Sequence, residues 1–136
     1  MKINKVAIVS KFGSKKSENA AKKTAEKLLK QKFKVYTISP VSIKGGEEIN
    51  SLEDLRNIKL DLVITLGGDG TTLRTFRNLE NETPLLAINV GGNRGILSEI
   101  KLDEINDAIQ HIKKNEVWLD KRTRVVASFN GKQFQP

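Results

Sequence analysis

Five consecutive residues, Gly67-Gly68-Asp69-Gly70-Thr71, have the types and spacing that could do chemistry. They follow an apolar run, Leu60 to Leu66 (LDLVITL), that reads as a buried strand. Adjacent glycines at a strand end let backbone N–H groups approach a ligand with no Cβ in the way. A helix beginning at Thr71, with Thr71 as its cap, would present an N-terminus that favours anions. That is a cradle for phosphate or a nucleotide. It lacks the spacing of a dinucleotide fingerprint and the Gly-Lys-Ser/Thr of a P-loop. Asp69 then needs a task of its own, because a bare carboxylate repels phosphate. Two tasks fit: holding Mg²⁺, or accepting the proton of a hydroxyl that attacks phosphorus. Arg74 is placed either to reach back towards anionic ligand atoms or to stand as a solvated helix arginine. A plain tight turn is the competing reading of residues 67–70.

The elements that must position this loop follow from the apolar periodicity. Ile3 to Ser10, Phe33 to Ser39, Leu60 to Leu66 and Pro84 to Val90 read as strands, the second stopping at Pro40. Ala20, Ala21, Thr24, Ala25, Leu28 and Leu29 share one helical face, with Ser17 as the expected N-cap. Short helices are expected over 71–79 and over 103–114, the latter with Ile105, Ala108, Ile109 and Ile112 inward. Residues 41–57 read as a loop with a turn of helix. Apolar strands alternating with helices mean a doubly wound, mostly parallel α/β sheet covered on both faces. Its ligands should sit at the carboxyl ends of the strands. Both glycine-rich loops, 67–70 and 91–95, lie at such ends.

Composition narrows the function. The 136 residues include no cysteine and one histidine, which excludes disulfides, thiolate metal sites and a cysteine nucleophile. No stretch approaches the ~20 apolar residues of a membrane span, and no signal-peptide core follows Met1. A cytoplasmic protein with no membrane partner is expected. The net charge is +8, but residues 1–44 alone carry +10, from 12 lysines against Glu18 and Glu26. Such an end could attract nucleic acid or polyphosphorylated molecules; a solvated lysine-rich helix is the plainer reading. With one Tyr and one Trp, the chain is poor material for specific nucleic-acid recognition.

Gly67-Gly68-Asp69-Gly70-Thr71 resembles the GGDGT signature shared by NAD kinases, diacylglycerol-type lipid kinases and, more distantly, phosphofructokinases. Pro84 to Glu99 (PLLAINVGGNRGILSE) is similar to the NAD-kinase stretch PxxGINxGxxGFLTE. The proline-rich GTxND segment of the lipid kinases has no counterpart. Asp120 to Val125 (DKRTRV) resembles the strand that opens the second domain of NAD kinases. The resemblance implies a Rossmann-like N-terminal kinase domain that transfers phosphate from ATP or polyphosphate to the 2′-hydroxyl of the adenosine ribose of NAD. It also implies a divalent metal, Mg²⁺ foremost, with no dedicated protein metal site, and a homo-oligomer in the complete protein. By resemblance Asp69 is the proton acceptor; Gly68, Asp69, Gly70, Thr71 and Arg74 contact the dinucleotide; Asn89, Gly92 and Gly95 shape the pocket. The second loop departs from the family pattern, being one residue longer, with Ile96 and Ser98 in place of Phe and Thr. A lipid kinase with the same phosphate loop and a non-enzymatic nucleotide- or nucleic-acid-binding module are the alternatives.

The remaining residues have plainer expectations. Lys11, Lys15 and Lys16 follow the first strand and face the carboxyl edge, where solvated loop lysines compete with contact to a phosphate donor. His111 suits the C-terminal end of its helix, and Trp118 a packing role. Glu99, Asp103, Glu104 and Asp107 are acids usual in a helix's first turns rather than a metal cluster. Arg122 to Phe129 alternates, and Asn130-Gly131 is a hairpin turn. Domains are therefore expected at 1–115 and 116–136, the second being the opening of a β-rich domain. A fragment ending at Pro136 is expected to be inactive, because the family's later site residues fall beyond it.

Overall fold

The computed structural model describes residues 2–79, 82–91 and 100–116, together with the strands at 127–129 and 132–134. Six strands form one sheet: β1 (Lys5–Ser10), β2 (Lys34–Ile38), β3 (Glu47–Ile49), β4 (Leu62–Gly67), β5 (Leu85–Asn89) and β6 (Ile100–Lys101). Their order is β3-β2-β1-β4-β5-β6, and every pairing is parallel. This is the doubly wound order, in which the chain departs from β1 to one side and resumes at β4 on the other. The crevice between the ends of β1 and β4 is its switch point. The central strands β1 and β4 are buried on both faces, which is why they read as continuous apolar runs.

Helix α1 (Lys15–Lys30) covers one face. Its small residues Ala20, Ala21 and Ala25 let it lie close to the sheet, and Leu28 fills the space beyond them. Burying a leucine so completely contributes about 1.5–3 kcal/mol. Thr24 is tolerated on this stripe because its hydroxyl donates to the Ala20 carbonyl at 2.8 Å. The helix starts earlier than its apolar pattern suggests: Ser14 is the N-cap, accepting from the Ser17 N–H at 3.2 Å, whereas Ser17 is buried within the first turn. Helix α3 (Ile105–Lys113) joins α1 on this face through Ile105, Ile109 and Ile112. The opposite face buries Ala7, Val9, Tyr36 and Val63 under Leu55 of a 3-10 helix (Leu52–Asn57) and Leu79, which follows helix α2 (Asp69–Arg77).

Two strands escaped the periodicity. β3 reads Glu47-Glu48-Ile49, of which only Ile49 is buried, and β6 is two residues long. Both are sheet edges, where charge and brevity suit a strand with one neighbour. Asp61, ahead of β4, accepts from the N–H groups of Asn4 and Lys5 at 3.0 and 2.8 Å and so aligns the entries of β1 and β4. Near the end of the chain, β7 (Ala127–Phe129) and β8 (Lys132–Phe134) pair antiparallel, with Phe129 opposite Lys132. β7 is the end of the strand expected over Arg122 to Phe129; residues 122–126 and Trp118 lie outside the described residues.

Candidate functional site at the switch point

The loop after β4 is built from contacts that leave little freedom. In the β4–β5 ladder Gly67 lies opposite Asn89, and its carbonyl accepts from the Val90 N–H at 3.1 Å. A Cβ on Gly67 would stand 2.7 Å from Thr71 Oγ1 and 3.0 Å from Lys11 Cβ, so this position is closed to any side chain. Gly68 and Gly70 are the opposite case: a Cβ at either would meet nothing within 4 Å. Their missing side chains leave open room beside the backbone.

Helix α2 begins at Asp69, two residues before the expected start, with Gly68 as N-cap. Thr71 therefore lies inside the first turn and is no cap; it is buried, its hydroxyl against Gly67. A second threonine takes over the anchoring. Thr72 donates its hydroxyl to the Gly68 carbonyl at 3.3 Å and its backbone N–H to the same oxygen at 3.2 Å, and its Oγ1 lies 3.2 Å from Thr65 Oγ1 on β4. Thr75 is also buried, donating to the Thr71 carbonyl at 2.8 Å. Small side chains with satisfied hydroxyls thus let α2 sit tightly over β4. Asp69, partly exposed, opens that helix, where the dipole favours a negative group.

The expected site residues separate into groups. Gly68, Asp69, Gly70 and Thr71 form the turn itself, and Asn89, buried at the end of β5, is brought beside it. Arg74 is exposed farther along α2, where it borders a recess with Ile38, Pro40 and Leu52. Its charge, after that of Arg56 and after hydrogen bonds to the Glu53 backbone and the Ser51 side chain, helps hold the Glu53 carboxyl below the ordinary range. Gly92 and Gly95 lie outside the described residues. His111 is exposed in the last turn of α3, with Nδ1 3.3 Å from Glu116. Among the described residues no group of three His, Cys, Asp or Glu could hold a metal ion; Glu99 lies outside them. No helix among them is long and apolar enough to cross a membrane. The approach of Lys11 to Gly67 was not legible in the sequence, because it depends on β1 and β4 being neighbours.

The comparisons converge. The ATP-NAD kinase N-terminal domain matches residues 5–117. A relative from Methanothermobacter thermautotrophicus, an NAD kinase, is 32% identical over 124 residues, which are 88% of this chain and 42% of that protein. Another NAD kinase, from Thermoplasma volcanium, is 30% identical over 131 residues, 96% of this chain and 46% of that one. In fold, the chain is similar to yeast NADH kinase complexed with NADH, with a TM-score of 0.72, 21% identity and coverage of 83% of this chain and 36% of the other. It is also similar to an NAD kinase from Archaeoglobus fulgidus in complex with ATP, with a TM-score of 0.54, 23% identity and coverage of 90% and 40%. The chain thus spans less than half the length of these relatives. A doubly wound parallel sheet, the Gly67–Thr71 turn at its switch point and a match running from β1 past α3 lead to one assignment: this chain belongs to the ATP-NAD kinase family, as its N-terminal domain.

Proposed function

We propose that the protein is an NAD kinase, transferring the terminal phosphoryl group of ATP to the 2′-hydroxyl of the adenosine ribose of NAD. The observation that carries this reading is the contrast within the loop. Gly67 is glycine because packing leaves no room, while Gly68 and Gly70 stand in the open beside Asp69. Open glycines at a helix start suit close approach of an anionic ligand to backbone N–H groups. In the reaction the 2′-oxygen bonds to phosphorus, the bond from phosphorus to the ADP oxygen breaks, and Asp69 takes the hydroxyl proton. Thr72 keeps the turn fixed, and Asn89 closes the pocket from the neighbouring strand. Gly92 and Gly95 complete the pocket in this proposal, and Arg74 contacts the dinucleotide.

The donor set fits a metal that arrives with its substrate. Mg²⁺ keeps several waters and is commonly held through substrate phosphates, so no residue of this chain is assigned as its dedicated ligand and Asp69 keeps the role of proton acceptor. Arriving with the donor, Mg²⁺ would neutralise phosphate charge. The proposal includes a cytoplasmic homo-oligomer, a β-rich second domain opening at about residue 116, and no specific nucleic-acid partner. A coupled assay of the full-length protein with ATP, Mg²⁺ and NAD tests it: NADP should form, and no turnover with NAD or NADH would overturn it. Turnover of a diacylglycerol instead would favour the lipid-kinase alternative.

A further inference from the structure

We propose that the recess at the amino edge of the sheet, the end opposite the glycine turn, binds a compact phosphate-bearing anion of about the size of pyrophosphate. It lies where the entries to β1 and β2 meet the ends of α1 and α3, and it measures about 190 Å³. That is below the roughly 300–1,000 Å³ of sites for drug-sized ligands, so its occupant is small. Its lining holds three cations, Lys2, Lys32 and Lys113, together with the buried residues Ile3 and Phe33, and no carboxylate. The neighbouring acids are turned to other partners. Asp61 Oδ2 accepts from the N–H groups of Asn4 and Lys5, and Glu116 lies 3.3 Å from His111. Among the described residues neither Lys2 nor Lys32 has a carboxylate within ion-pair distance. Part of the lysine excess at the start of the chain thus gathers at one recess.

The backbone marks the same place. Lys32 (φ +70°) and Asn115 (φ +58°) are the non-glycine residues of positive φ among the described residues, and both line the recess. Each follows a helix C-cap, Gln31 of α1 and Lys114 of α3. Asparagine is common in that conformation, but lysine is not, and glycine usually takes the position after a helix. A lysine kept there at a cost in stability points to a use for its charge. Helix C-termini carry partial negative charge, which would repel an anion. Here Lys113 meets that charge: its Nζ donates to the Gln31 carbonyl at 3.3 Å and to Gln31 Oε1 at 2.9 Å. The Gln31 amide, its oxygen so engaged, offers its NH₂ group as a donor. Ammonium groups act as point charges and suit clustered phosphate oxygens, whereas planar carboxylates are matched by the guanidinium fork absent from this lining. The six residues of β1 separate the recess from the glycine turn by about 20 Å, too far for its occupant to touch the reacting groups.

Calorimetric titration of the full-length protein with pyrophosphate, without Mg²⁺, tests the site. Lys32→Gly should weaken binding about tenfold and, by relieving the left-handed lysine, raise Tm by a few degrees. Lys2→Gln should weaken binding by a similar factor and leave Tm unchanged. NAD affinity should stay within about twofold in both variants, because the recess lies away from the glycine turn. Pyrophosphate affinity unchanged in both variants would overturn the proposal, as would a wild-type protein that binds none or that binds citrate equally well. A single-stranded oligonucleotide that binds more tightly than pyrophosphate, and loses affinity in the same variants, would also overturn it and make the recess part of a nucleic-acid surface. Absence of NADP formation would count against the NAD-kinase reading and leave the pyrophosphate pattern as it is.

Discussion

The Val90 N–H donates to the Gly67 carbonyl at 3.1 Å, so the last bond of the β4–β5 ladder falls within the glycine turn itself. Asn89, one residue earlier, is buried opposite Gly67, and Gly91, one residue later, has φ +127°. That angle lies in a region that side chains rarely adopt. Val90 is held beside the turn that carries Asp69. On the other side, Lys11 is bonded to Leu66. The turn is held by both neighbouring strands, while Gly68 and Gly70 have open space beside them.

For Asp69 the proton-acceptor role gives a definite forecast. Asp69→Asn keeps the shape and can still hydrogen-bond the ribose hydroxyl, but it offers no basic oxygen. General-base assistance is worth about 10²–10⁴ in rate, so kcat should fall in that range. NAD affinity should change by less than about tenfold. A metal-holding role would instead show partial recovery at high Mg²⁺ or with another metal. Measuring kcat and NAD binding across a metal titration separates the two, and near-normal kcat would remove both.

The glycines should respond in opposite senses. Gly67→Ala pushes a methyl group into Thr71 and Lys11, and overpacking of this kind costs about 1–3 kcal/mol. Gly70→Ala has open space and a helical position, so it should stabilise the fold by about 0.5–1 kcal/mol. It should nevertheless weaken NAD binding, because the methyl group occupies the room the ligand needs. Thermal unfolding and NAD titration of both variants check the pair. Unchanged NAD affinity in Gly70→Ala would mean that the ligand does not approach that side.

Thr37, on β2, is buried with a hydroxyl that has no hydrogen-bond partner among the described residues. Leaving a polar group so placed carries a penalty of about 1–3 kcal/mol. Thr37→Val preserves the shape and the β-branching, so it should raise stability by about 1 kcal/mol and Tm by a few degrees. Denaturant unfolding of the two proteins measures it. A loss of stability would show that the hydroxyl is satisfied by solvent.

The lysine-rich end should bind nucleic acid weakly and without sequence preference. Lys15, Lys16, Lys22, Lys23 and Lys30 are exposed along α1, a solvated face with no aromatic residue among them. Binding that rests on phosphate contacts alone falls steeply with salt. Gel shifts between low and physiological salt should show that fall; a preferred sequence at physiological salt would contradict it.

Much of this protein is determined locally. The runs around Val6–Val9, Val63–Leu66 and Ala87–Ile88 are apolar at every position but Thr65 because both faces are covered, and that signature needs no partner to be read. The α1 stripe is equally local, since helical period alone places Ala21, Ala25 and Leu28 together. The glycines and Asp69 of the turn announce a phosphate-type loop through residue type and spacing. Other features depend on which strands become neighbours, and no local pattern encodes that. The edges β3 and β6 exist because β2 and β5 offer unpaired backbone, not because Glu47-Glu48 prefers a strand. Ser14 rather than Ser17 caps α1 because packing draws Ser17 inward. Thr71 and Thr72 exchange their expected importance because the helix starts at Asp69, which turns Thr72 towards the Gly68 carbonyl. Lys11 meets Gly67 only because β1 and β4 lie side by side at the switch point. The residues of the turn are thus written in the chain, but the side chains around it are selected by long-range strand pairing.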